Sequence, residues 1–438
     1  MAQPMIRISA STAWQYPKVI DALAKMDGKP HSVYESADAI ASGIMQVTRS
    51  GNRRVVVRTD DGDVTEDDIA SMTWEVTPGV TAFAVAVSST YPDGSPRPHG
   101  LQFTIPYHAL RSGHATYSVD WGDGTKSENI SDEHPVHTYS SAGVYKIEVS
   151  DDISTMQCSM HGSTSGKYNS NNPNFPVGTW SQVVTDGHTA GYWDVDNRLK
   201  VVRALQYGSN YVSSYFSYDR CYSLTGAIPA WNDKITNAQG TYYGCSGLTG
   251  AVPAWGAAIT NAYNTYSSCS GLTGSIPAWG AAITNANSTY SSCSGLTGSI
   301  PAWGAAITNA YSTYSSCSGL TGAIPAWNDK ITNAQSTYYG CSGLTGAIPA
   351  WNDKITNAQS TYYSCSGLTG SIPAWGAAIT NAYRCFYYAT GLTGVWDESA
   401  TDAELMPSKI TSHVECFTGC DDRLRASFLT GWGGSRAS

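Results

Sequence analysis

Cysteine and tryptophan recur in this chain at a spacing that invites a chemical reading. Cysteines stand at 221, 245, 269, 293, 317, 341 and 365, a step of 24 residues, and Trp231, Trp255, Trp279, Trp303, Trp327, Trp351 and Trp375 keep the same step. Thiols could hold zinc or an iron–sulfur cluster, act as nucleophiles, or pair as disulfides. Metal sites need ligands converging on one point from CxxC-like spacing, whereas this step sets thiols out in a line. A reactive thiol needs a histidine or a cation beside it, and no histidine occurs between Cys221 and Tyr383. The repeated cysteine therefore reads as a small buried residue filling a corner. Bridges along the line are awkward, because equivalent Cβ atoms of stacked strands stay about 4.8 Å apart against the ~3.8 Å a disulfide prefers. Cys385 and Cys416 leave the line, since both occupy the place that Thr361 holds one repeat earlier. A capping Cys385–Cys416 disulfide is expected there.

Three further groups could do chemistry. The acidic run TDDGDVTEDD (59–68) suggests calcium but lacks the ligand spacing of a calcium loop, while Thr65 with Asp68 three residues on predicts a capping box before IASM. Asp120 and Asp123 flank Gly122 in DWGDGT (120–125). Two carboxylates make a poor calcium cage and a good turn, where they accept backbone N–H bonds. His134 and His137 have no third ligand near in sequence and read as turn and core residues. No metal, cofactor or catalytic residue is expected, and the chain reads as a non-enzyme.

The elements that must position these residues change character along the 438 residues. PKVIDALAKM (17–26) and ESADAIASGIMQ (35–46) have helical spacing and RRVVVRT (53–59) reads as a strand. From about 73 to 150 short alternating runs split by turn residues predict strands with one buried face, hence a β-sandwich. Residues 153–198 are rich in Ser, Asn, Gly and Pro and read as irregular connection with one or two strands. From 199 the strict period marks stacked coils, because one unit cannot bury its own Ile, Leu and Tyr. Leu224 to Leu368 and Ile228 to Ile372 then form columns, with LKVVRALQYG (199–208) as an entry cap and degenerate coils at Ala389 and Cys420. After each tryptophan stands either WNDK or WGAA, which predicts a solvent-facing turn.

Only 13% of residues are charged and the net charge is -9, which disfavours nucleic acid and anionic membranes as partners. No stretch approaches the ~18 consecutive apolar residues of a membrane span, and the N-terminus lacks a basic region followed by an apolar core. Reduced thiols and a cytoplasmic origin are expected on that reading.

Two stretches carry family resemblances. WGDGT followed by HTYSSAGVYKIEV (137–149) resembles the signature of polycystic kidney disease (PKD) type immunoglobulin-like domains, which implies a sandwich with the tryptophan and tyrosine in its core. ITNAYSTYSSCSGLTGAIPAW (307–327) resembles the leucine-rich repeats of bacterial surface proteins, with cysteine, leucine three later and Ile-Pro four after that. With the patterns above, the resemblances imply a multidomain chain: a PKD-like β-sandwich at 76–152 and a leucine-rich-repeat solenoid with a C-terminal cap at 199–438, preceded by an α/β anchoring domain read from spacing at 1–75 and joined by the irregular entry at 153–198. The resemblances imply a modular extracellular binding protein, and the lack of an export signal shifts the expectation from a bacterial cell wall to a phage virion fibre or decoration protein, assembled in the host cytoplasm and then extracellular. It would attach to other virion proteins through its N-terminal domain as a homo-oligomer and bind a host-surface glycan or protein through the solenoid. A purely structural virion component and a bacterial cell-surface adhesin are the alternatives. The tryptophans are either packed on the solenoid wall or form an exposed ligand-contact ladder.

Overall fold

The computed structural model describes residues 49–50, 53–59, 61–91, 94, 96–97, 100–110, 112–131, 135–157, 180–185, 188–193, 200–395 and 408–420. The helices expected at 17–26 and 35–46, and also His134 and Cys158, lie outside these residues. What is described is strand, turn and irregular structure in open sheets, and the helix lying wholly within it is Glu66–Ser71. By contacts the chain forms two compact units, Met1–Lys234 with Thr241–Thr249, and Ile235–Gly240 with Gly250–Ser438.

The first unit is built on a five-stranded antiparallel sheet in the order Val201–Gln206, Thr81–Val87, Gly143–Val149, Tyr117–Asp120, Lys126–Ile130. TAFAVAV (Thr81–Val87) is buried at every position, which explains why its outward-alternating residues are alanines: both faces are covered. One cover is the hairpin of Arg53–Thr59 with Gly62–Thr65, followed by the short helix. Val57, Ile69, Ala84, Ala86 and Val202 form one core cluster, joined by the partly buried Trp74 and Leu205. The boundary expected at residue 75 therefore does not separate two cores. Burying a Val or Ile side chain contributes about 1.5–3 kcal/mol, enough to hold a six-residue helix that would not form alone. That helix begins with the expected capping box: the Asp68 N–H donates to Thr65 Oγ1 at 3.3 Å and the Thr65 N–H donates to Asp68 Oδ2 at 2.8 Å.

The segment expected to cap the coils has two roles. Val201–Gln206 is the edge strand of the sheet, paired with Thr81–Val87. Its Val202 carbonyl also accepts the Thr225 N–H at 2.9 Å, as the Gly226 carbonyl accepts that of Thr249 one period later at 3.1 Å. Sheet edge and first rung are one strand, so the edge is covered by the repeat itself. In the 153–198 region the described strands are Ile153–Gln157, paired with Tyr107–Leu110, and the hairpin Trp180–Thr185 with His188–Trp193.

In the second unit each 24-residue period is one coil, bonded to the next at two short parallel rungs. One rung joins Asn261, Asn285, Asn309, Asn333, Asn357 and Asn381 in turn, and the other joins Gly298 to Leu320, Gly322 to Leu344 and Gly346 to Leu368. Between rungs the chain turns through three-residue hydrogen bonds such as the Cys317 N–H to Tyr314 O at 3.1 Å. These turns place non-glycine residues in the left-handed region, Ser312 at φ 51° and Ser316 at φ 60° in one coil. Gly319 is required by proximity: a Cβ there would stand 2.5 Å from the Leu296 carbonyl oxygen and 2.7 Å from that of Ser294. This explains the Ser-Gly-Leu that follows each cysteine of the line from Cys245 to Cys365. The Ile of Ile-Thr-Asn-Ala and the Ala, Tyr, Cys and Leu from Ile235 to Leu368 are fully buried, and the expected column from Ile228 to Ile372 is buried at 3–7% exposure, so the expected columns lie in the core. Cys420 stands one coil beyond Ala389, its N–H bonded to Phe417 O at 3.1 Å as that of Ala389 is to Phe386 O at 3.0 Å.

Candidate functional site

The DWGDGT turn is fully engaged by the chain's own donors. Asp120 accepts the Gly122 N–H at 3.0 Å and Lys126 Nζ at 3.0 Å. Asp123 accepts the Thr125 N–H at 3.0 Å, the Thr125 hydroxyl at 2.6 Å and His137 Nε2–H at 2.7 Å. The His137 ring lies on Trp121 with centroids 4.7 Å apart, and the Tyr139 hydroxyl donates to the Trp121 carbonyl at 3.0 Å. Burial would raise the Asp123 carboxyl, but the bonds from Thr125 and His137 outweigh it and hold it at about 2. Gly122, at φ 81°, packs where a Cβ would meet the Lys146 carbonyl at 2.2 Å. Each carboxylate oxygen has a donor, so this cluster is a staple between turn and strand. Among the described residues no group of three or more His, Cys, Asp or Glu is placed to hold a metal.

The tryptophans do not form an exposed ladder. From Trp231 to Trp351 their exposure is between 7% and 9%, and Trp375 is half-buried. In the second unit they stack face to face, with centroids 5.9, 6.0, 5.7, 5.9 and 6.0 Å apart from Trp255 through Trp375. Alongside runs a tyrosine column, Tyr266, Tyr290, Tyr314, Tyr338 and Tyr362, continued by Phe386 and Phe417. Each indole meets the tyrosine of its own coil at a tilt, as Trp303 does Tyr314 at 5.5 Å, and Trp279 Nε1 donates to the Tyr314 hydroxyl at 3.1 Å. Two interlocked aromatic columns bury more area than either alone, which is why the rings turn inward.

The cysteines are all free and buried from Cys221 to Cys420. The expected Cys385–Cys416 disulfide is absent. These two do share a slot in successive coils, for Tyr362 bonds the Cys385 carbonyl and Phe386 the Cys416 carbonyl, both at 2.9 Å. A stacked register keeps equivalent side chains a strand spacing apart, further than a bridge spans. On the line itself each thiol donates backward: Cys317 Sγ to Tyr290 O, Cys341 to Tyr314 O and Cys365 to Tyr338 O, each at 2.9 Å. Burial pushes the Cys317 and Cys365 thiols up to about 12. They are inert donors, and the threonine four residues earlier plays a similar part, as Thr313 does to Ala286 O at 2.9 Å.

Sequence reasoning missed two polar ladders. The asparagine of ITNA folds its side chain onto its own chain, Asn309 Oδ1 accepting the Tyr311 N–H at 3.0 Å. The asparagine of WNDK is no mere surface residue: Asn328 Nδ2 donates to Gly304 O at 2.7 Å and Ile307 O at 3.0 Å, and its Oδ1 accepts the Lys330 N–H at 2.8 Å. Only the Asp and Lys after it are exposed, so the solvent-facing turn is confined to those positions. The signal for the first ladder was in the unbroken Thr-Asn-Ala recurrence. Left outward are threonines such as Thr308 and Thr332, each hydroxyl bonded to the threonine carbonyl of the preceding coil, together with Ser, Asn and half-buried Tyr.

A profile of the family described as Mycoplasma protein of unknown function, DUF285, matches the chain twice, at residues 212–327 and 307–417. The matches cover the coils with their Trp and Tyr every 24 residues, so the array is similar to that family and the chain is a repeat protein. No curated protein matches, and no solved structure matches.

Proposed function

We propose that this chain is a non-enzymatic binding protein whose 24-residue repeats form a leucine-rich-repeat solenoid and whose residues 76–152 form a PKD-like sandwich that carries it. The sandwich reading is supported by the buried Trp121 and Tyr139 at the Trp-Gly-Asp-Gly turn. The observation that carries the function is the outward face of the repeats: a rigid backbone, bonded coil to coil, presenting Thr, Ser, Asn and Tyr with almost no charge. Such a face suits an uncharged partner and loses little entropy on binding. The partner is a glycan or protein of a host surface. Titrating labelled full-length chain onto intact cells tests this, with saturable binding as the expected result.

A second reading has its own support. With the tryptophans buried, the repeats are also fitted to be scaffolding, in which case the neutral face packs against other chains of a particle. No cell binding, together with self-association or incorporation into particles, favours that reading. The setting is tested by mass spectrometry of purified virions against cell-wall fractions: a phage fibre or decoration protein is found in the first, a bacterial adhesin in the second.

A further inference from the structure

The outward face is not uniform along the second unit. Within the second unit the position two residues before the cysteine is serine at Ser267, Ser291 and Ser315, then tyrosine at Tyr339 and Tyr363, and Tyr387 continues it one coil on. The three rings stack with centroids 4.4 and 4.7 Å apart, closer than the buried column. Beside Tyr387 stands Arg384, its guanidinium carbon 5.2 Å from that ring's centroid and its Nε–H donated to Glu415.

Tyr388 is the second observation. It occupies a left-handed position, φ 54°, held in preceding coils by Ser316, Gly340 and Ser364. A bulky aromatic in that conformation carries a conformational cost that serine or glycine avoids more easily. Nothing in the core requires it, since the ring is 49% exposed. The next coil makes room for it: a Cβ on Gly419 would stand 2.8 Å from the Tyr388 ring. A strained, exposed ring seated on a glycine marks a contact surface.

We propose that this tyrosine patch binds a neutral saccharide, which rests on reading the repeats as a surface-binding array. The chemistry of the patch selects that class. Phenol edges and hydroxyls alternate apolar C–H contact with hydrogen-bonding groups, as a pyranose does. Arg384 and Glu415 together add donors and acceptors with no net charge, so an anionic sugar meets Glu415 and a cationic ligand meets Arg384. The stack is held rigid by coil-to-coil bonds, such as the Ser364 N–H to Tyr387 O at 2.7 Å, so little ordering is needed on binding.

Full-length chain is titrated calorimetrically with lactose, maltotriose, cellotriose, mannotriose and chitotriose, with 3′-sialyllactose as the charged comparison. The expected result is binding of at least one neutral sugar, weakened about tenfold or more in both Tyr388→Ser and Arg384→Ser and unchanged in Glu128→Gln, an exposed position of the first unit. Tyr388→Ser installs the residue found at Ser364, so it keeps the fold, and an unshifted thermal melt checks this. Binding of none of the neutral sugars, equal binding by Tyr388→Ser, or preference for sialyllactose overturns the proposal. Cell binding that persists in Tyr388→Ser and resists competing sugar overturns it too, while leaving the surface-binding reading intact; loss of all cell binding by the parent chain removes both.

Discussion

At the scale of single residues, chemistry that the sequence offered is turned to structure. Cys317 and Cys365, pushed up to about 12 by burial, are almost wholly protonated at pH 8. Iodoacetamide at that pH is expected to leave both unmodified in native protein and to label them after denaturation, as read by peptide mass mapping; rapid native labelling contradicts their place in the core. Asp123 provides a pH-dependent case. Its folded carboxyl sits at about 2, below the ordinary 3.8, so the stability it contributes is complete above about pH 4 and is lost as pH falls toward 2. Asp123→Asn is expected to lower stability by about 1–2 kcal/mol at neutral pH, with the gap to the parent closing below pH 4, as followed by urea unfolding. Both roles were partly legible beforehand. Spacing excluded a metal role for the thiols, and the glycines around Asp123 indicated a turn, but His137 as its partner was hidden because it arrives from a distant strand.

At the scale of elements, the repeat is two aromatic columns locked between polar rungs. Trp303 stacks on Trp279 and Trp327 and is 7% exposed, whereas Trp375 is half-buried. Trp303→Ala is expected to cost about 3–5 kcal/mol and Trp375→Ala about half of that, measured by denaturant unfolding. Gly319→Ala pushes a methyl onto two carbonyl oxygens and is expected to cost about 1–3 kcal/mol. The period, the columns and the capping box at Thr65 were legible, because each is a local or strictly repeated pattern. Whether the tryptophans face in was not, since Ile-Pro-Ala-Trp looks the same for a packed wall and for an exposed strip; the tyrosine column beside them decides it. The double role of Val201–Gln206 was equally hidden, because an edge strand and a first rung share one apolar pattern.

At the scale of the whole molecule, apolar groups serve stacking, and the almost uncharged outward face is the one to which we assign recognition. On that proposal function lies where sequence reading had least to hold, in small polar residues that look alike in every coil. It also means that core and surface substitutions should separate cleanly. The most direct test compares full-length Thr308→Lys/Tyr311→Lys, which places charge on the outward face, with Trp303→Phe, which keeps an inward ring, in binding to the same intact cells. The account predicts that the lysine variant loses at least about tenfold in affinity with an unchanged melt, while Trp303→Phe binds as the parent does, at lower stability. Equal binding by the lysine variant, or loss of binding only in Trp303→Phe, would contradict it.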